Sequence, residues 1–99
     1  MSPRVHVDRD RIAEFCSRHH IRKLALFGSV LRDDFRPDGD VDVLVEFDPD
    51  HVPGLVFFAM EAELSRILGH KVDLNTLGFL SHYIREQVLL EAEVQYVAV

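Results

Sequence analysis

Apolar and polar residues follow two rhythms along this 99-residue chain. From Asp8 to about His19, the residues Ile12, Phe15, Cys16 and His19 recur at i, i+3, i+4 and i+7, one face of a helix. A longer helix is predicted from Gly54 to Leu68, with Phe57, Met60, Leu64, Ile67 and Leu68 on one face and Gly69 as its stop. Ser81 caps a last helix that runs to about Ala92. Between them lie segments with strand rhythm: "KLALF" (Lys23 to Phe27), "VDVLVEF" (Val41 to Phe47), "KVDLN" (Lys71 to Asn75) and "VQYVAV", a short strand closing an edge. Ser29 to about Asp33 reads as a helical turn, while "RPDGD" and "DPDHVPG" read as loops by their proline and glycine. Helices alternating with short strands predict an α/β (α+β) fold, a small mixed β-sheet with helices packed on one face. The length fits one domain over residues 1–99.

The clearest strand raises a chemical question. Val41, Val43 and Val45 point one way, and Asp40, Asp42, Leu44 and Glu46 point the other. Same-face neighbours on a strand lie about 6.5–7 Å apart, so Asp40 and Asp42 aim two carboxylates at one region. Such a pair repels unless a cation lies between its members or one takes a proton. Oxygen ligands of this kind suit Mg²⁺ or Mn²⁺. Asp73 has the same habit, an acid opposite the apolar face made by Val72 and Leu74. Three carboxylates converge if the two strands are neighbours. Five aspartates crowd the stretch from Leu26 to Phe47, and Asp33, Asp34 and Asp38 among them, like Asp48 beyond it, read as loop residues.

Charge and composition narrow the classes. Seventeen acids against 11 bases leave a net charge of −6, which argues against binding nucleic-acid phosphates as the main task. It leaves open a nucleotide held through a divalent metal. With 47% hydrophobic residues a packed core is expected. No apolar run approaches a membrane span of about 20 residues, and the charged start lacks a signal-peptide core, so a cytoplasmic protein is expected. The single Cys16 excludes an internal disulfide and reads as a small core residue. His19 and His20 read as helix C-terminal dipole partners. The histidines at 51, 70 and 82 have no metal-ligand spacing. Phe57 and Phe58 are adjacent, so one helix face cannot bury both: either one faces a partner or a second copy, in a homo- or hetero-oligomer, or the helix is covered on two sides.

Gly28-Ser29 sharpens the reading. A glycine ends a buried strand and a helical turn follows, which exposes backbone amides suited to an anion. The Ser29 hydroxyl and Arg32, one turn on, can reach the same anion. A phosphate cradle ahead of a carboxylate pair describes nucleoside-triphosphate chemistry.

Gly28-Ser29, ten residues, then Asp40-Val41-Asp42, with Asp73 on a later strand, resembles the polymerase-beta-like nucleotidyltransferase superfamily. It is most similar to the minimal nucleotidyltransferases (MNT) paired with HEPN-domain toxins, and the resemblance spans nearly the whole chain. It implies the nucleotidyltransferase fold, with Gly28, Ser29 and Arg32 on the nucleotide, Asp40, Asp42 and Asp73 on the catalytic metals, and Asp73 acting on the attacking hydroxyl. It further implies Mg²⁺ (or Mn²⁺), ATP as substrate, and AMP placed on a tyrosine of a cognate HEPN-domain toxin, so that the protein is an antitoxin. Two positions depart from the pattern: Asp33 stands where many members have glycine, and Gly39 where many have serine. The first adds negative charge near a phosphate site; the second removes a hydroxyl and loosens the loop. A competing expectation is an antitoxin that neutralises its toxin by binding alone. The chain is short for the second substrate domain of antibiotic-modifying relatives, and a templated polymerase is disfavoured by size and charge.

Overall fold

The computed structural model describes residues 5–32, 35–36 and 38–98. Among these, three α-helices and four strands follow in the order α1 (Arg9–Arg18), β1 (Ile21–Phe27), β2 (Val41–Phe47), α2 (Val56–Leu68), β3 (Val72–Asn75), α3 (His82–Glu91) and β4 (Glu93–Val97). Asp8 caps α1 by accepting from the Arg11 amide at 3.2 Å. Gly69 ends α2 with φ 71°, the left-handed residue expected there. Ser81 does occupy the N-cap of α3, but its side chain makes no capping bond.

The sheet order is β3-β2-β1-β4. β1 runs antiparallel to both β2 and β4, and β2 runs parallel to β3, so the sheet is mixed. β4 takes an edge, as expected of the last segment. β2 and β3 can be parallel because α2 provides the crossover between them.

The alternation in β2 decides which side is dry. Val41, Val43 and Val45 join Leu24, Leu26, Val72 and Leu74 in the main core, covered by Ile12, Phe15 and Cys16 of α1 and Phe57, Met60 and Leu64 of α2. Cys16 is fully buried, in its expected core role. On the opposite face a small cluster of Phe27, Leu44, Leu80 and Val88 seats α3. The expectation of helices on one face therefore holds for α1 and α2 and not for α3. Leu44 and Phe27 are apolar residues on the acid-bearing face, and burying them requires a cover.

Arg18 and His19 at the end of α1 both pair with Glu63 of α2, the His19 Nε2 at 3.0 Å from Oε1. His19 thus ties the two helices together beyond its place at a helix end. His20 takes φ 58° and stacks on His51 with ring centroids 3.8 Å apart. Phe57 is buried and Phe58 is 69% exposed, which settles which of the two faces outward. No helix among the described residues is long and apolar enough to cross a membrane.

Candidate active site

β1 ends at Phe27, and Gly28 turns the chain at once into a four-residue 3-10 helix, Gly28–Leu31. Gly28 has φ 78°, a conformation that costs a side-chain-bearing residue strain. A second constraint comes from across the sheet. A Cβ at Gly28 would lie 2.3 Å from Oδ2 of Asp42. The turn therefore carries glycine because its backbone is packed directly against a carboxylate.

The strand register explains that packing. Phe27 pairs with Asp42 across β1 and β2, and Asp42 pairs with Asp73 across β2 and β3. Asp42 thus sits in the second strand of the sheet with Gly28 beyond one shoulder and Asp73 at the other. Asp40 immediately precedes β2, and the Val41 amide that follows it donates to Lys71 O at 2.8 Å. Asp42 is half-buried, whereas Asp40 and Asp73 are exposed. Burial pushes the Asp42 carboxyl up to about 6, helped by the charges of Asp73 and Asp40 and by a hydrogen bond with Asp73. Two carboxyl groups near enough to share a proton, with a third adding its field, is an arrangement that a cation relieves. Among the described residues no three His, Cys, Asp or Glu side chains are already closed around one metal-sized point. The donor chemistry, all carboxylate oxygen, fits Mg²⁺ or Mn²⁺ through Asp42 and Asp73, with Asp40 the third candidate.

Ser29, half-buried, and Arg32, exposed, lie on the turn that follows Gly28; the Arg32 amide donates to Ser29 O at 2.9 Å. An open cavity of about 380 Å³ adjoins this turn, lined by Gly28, Leu31, Arg32, Glu91 and Glu93. Asp33 and Asp34 lie outside the described residues, so the departure at 33 and the end of the predicted helical turn do too. Gly39 has a packing role in the loop: a Cβ there would meet the Phe35 ring at 3.0 Å and Arg36 O at 3.1 Å.

Reading the chain alone does not find Glu61 and Ser65. β3 is an edge strand, and edge amides need acceptors. The Val72 amide donates to Ser65 Oγ at 3.0 Å, and the Leu74 amide donates to Glu61 Oε2 at 2.8 Å. Ser65 Oγ in turn donates to Glu61 O at 2.9 Å. These two α2 side chains grip the strand on either side of Asp73. Their one signal in the sequence is a polar pair at i, i+4 beside an apolar stripe, which most surface helices also show.

A protein-family model described as a nucleotidyltransferase domain matches residues 9–94. The chain belongs to the nucleotidyltransferase family. It is 38% identical over 79 residues to the protein adenylyltransferase MntA of Thermococcus cleftensis, covering 79% of this chain and 78% of that one. A solved structure of a candidate minimal nucleotidyltransferase superposes with a TM-score of 0.71 at 35% identity, covering 86% of each chain. Two more distant structures share the fold. A toxin-antitoxin with AMP-PNP gives a TM-score of 0.73 at 19% identity, covering 93% of this chain and 75% of that one. A tri-AMPylated Shewanella oneidensis HEPN toxin in complex with MNT antitoxin gives 0.65 at 20% identity, covering 91% and 70%.

Proposed function

We propose that this nucleotidyltransferase moves AMP from ATP to a hydroxyl, a tyrosine of a HEPN-domain toxin, and thereby acts as its antitoxin in the cytoplasm. The observation that carries the reading is Asp42, wedged between Gly28 and Asp73 on one sheet face. In this reading the Gly28 turn takes the triphosphate, and its closeness to the carboxylate pair suits an in-line displacement at phosphorus. The resemblance to a protein adenylyltransferase and to antitoxins solved with AMP-PNP or an AMPylated HEPN toxin supports the nucleotide and the acceptor.

In this reading Gly28 and Ser29 hold triphosphate oxygens through backbone amides and the Ser29 hydroxyl, and Arg32 offsets their charge. Asp40, Asp42 and Asp73 are the ligands for Mg²⁺ or Mn²⁺, which supplies charge neutralisation on the phosphates when bound. The acceptor oxygen attacks the α-phosphorus and forms a new P–O bond. The bond to pyrophosphate breaks opposite it. The hydroxyl proton passes to the Asp73 carboxylate, the more exposed member of the Asp42–Asp73 pair. Asp42 is the less exposed of the two, which gives its ionised form the stronger need for a cation, so in this reading it holds charge in place rather than exchanging protons with solvent.

The test is the intact mass of a HEPN-domain partner co-expressed with this chain. Steps of one AMP that vanish with Asp42→Ala support the reading. A neutralised partner of unchanged mass overturns it and leaves neutralisation by binding alone.

A further inference from the structure

α3 is a helix that the rest of this chain hardly uses. Of its ten residues Val88 alone is buried. Tyr83 is 91% exposed and Leu90 is 88% exposed, and Ile84 and Leu89 are about half exposed. Tyr83 and Leu90 are seven residues apart, so they stand on one stripe, turned away from the sheet contact made by Val88. A short helix with one anchoring residue gains little from its own packing. Two large apolar groups on its outer crest are normally covered by another surface.

The crest has a definite position relative to the site. Glu91 at the end of α3 lines the same cavity as Gly28 and Arg32. Ile84 is seven residues before Glu91, and Gln87, whose amide donates to Glu91 Oε1 at 3.1 Å, lies between them. The C-terminal end of α3 therefore borders the Gly28 turn, Val88 packs with Phe27, the register partner of Asp42, and Leu90 adjoins Glu91. Glu86 and Glu91 are exposed on α3, Glu93 is half-buried beside it and shares the cavity with Arg32, and Arg85 of α3 is half-buried with its guanidinium donating to Leu80 O.

We propose that the crest of α3, centred on Tyr83 and Leu90, is the surface on which the hydroxyl-bearing acceptor protein docks. The inference rests on the protein-acceptor reading above and names where that acceptor binds. The occupant is a protein with an apolar patch bordered by lysine or arginine. Charge selects it: an apolar crest flanked by the exposed Glu86 and Glu91 on a chain of net charge −6 matches a basic-rimmed surface. A second copy of this chain is the poorer match, because pairing α3 with itself sets these carboxylates against one another. Position supports it too, since Leu90 is next to Glu91, which lines the cavity at Gly28.

The experiment uses the full chain with a co-expressed HEPN-domain protein as probe. Leu90→Asp, Tyr83→Ala and the milder Leu90→Gln are compared with the unaltered chain. Both sites are exposed, and an unchanged melting temperature verifies folding. Nucleotide affinity, measured with ATP and Mg²⁺ in the absence of the probe, is expected to stay within about twofold. Affinity for the probe is expected to fall at least about tenfold in Leu90→Asp, the scale of one interface anchor, with less loss in Leu90→Gln. Transfer of AMP at low probe concentration falls in parallel. Variants that bind the probe as well as the unaltered chain overturn the proposal. So does an isolated chain that is dimeric and becomes monomeric with Leu90→Asp. If the probe binds through α3 but gains no AMP, the docking surface stands and the transferase reading fails.

Discussion

Gly28 and Asp42 are in backbone-to-side-chain contact so close that a Cβ at Gly28 would sit 2.3 Å from the carboxylate oxygen. The contact joins the Gly28 turn to the Asp42–Asp73 pair. Gly28→Ala meets both this clash and the left-handed φ of 78°. We expect a loss of about 1–3 kcal/mol in stability. Adenylyl transfer should fall more than tenfold even below the melting temperature. A denaturation curve and an activity assay on the same sample check both outcomes.

Asp42 is held in a place that resists its charge, and the sign of its pH effect follows. Its folded pKa, about 6, lies above the ordinary 3.8, so the folded state binds the proton more tightly. Asp42 therefore costs nothing at low pH, begins to cost stability as pH rises above about 4, and exerts its full cost above about 6. Asp42→Asn should abolish transfer yet raise stability at pH 7.5 by about 1 kcal/mol, after allowing for partial solvent screening. The gain should shrink towards zero as pH falls to 4. Melting temperatures of both proteins across that range are the measurement.

If Asp42 is a metal ligand as proposed, the divalent metal competes with the proton on its carboxylate. Mg²⁺ or Mn²⁺ affinity should weaken as pH drops below about 6, by up to about tenfold per unit where one proton is displaced. Above pH 7 it should level off. Adding the metal without nucleotide should also raise the melting temperature, and a chelator should reverse this. A flat titration from pH 5 to 8 would show that Asp42 is no ligand.

Asp73 depends on α2 for its position. The Leu74 amide donates to Glu61 and the Val72 amide donates to Ser65, one on each side of it. Glu61→Ala leaves an edge amide without its acceptor, and we expect a loss of about 1–2 kcal/mol. If Asp73 takes the hydroxyl proton, kcat falls while the Kd for ATP holds. Glu61→Gln keeps an acceptor oxygen and should recover most of the rate. A general destabilisation would not be rescued in kcat alone.

Much of this was legible in the chain because periodicity is local physics. Val41, Val43 and Val45 reveal β2 and its dry face without any tertiary knowledge, since strand alternation follows from backbone geometry. The same rule places Asp40 and Asp42 on the other face. Element ends shifted by a residue or two: β1 begins at Ile21, α2 at Val56 and β4 at Glu93. Helix and strand ends answer to neighbours as well as to propensity. The placement of α3 was not legible, because Ile84, Leu89 and Leu90 around Val88 show no single apolar face.

The sequence by itself determined the residue kinds and their spacing: Gly28-Ser29, the alternation around Asp40 and Asp42, and an acid at 73 opposite an apolar strand face. Only the tertiary structure decided that β2 and β3 are parallel neighbours in a register that sets Asp42 beside Asp73. It alone revealed that Gly28 is packed on Asp42, and that Glu61 and Ser65 hold β3. The reason is physical. Alternation within a strand is set by its own backbone, whereas strand order and register are set by which apolar faces bury together across the whole chain.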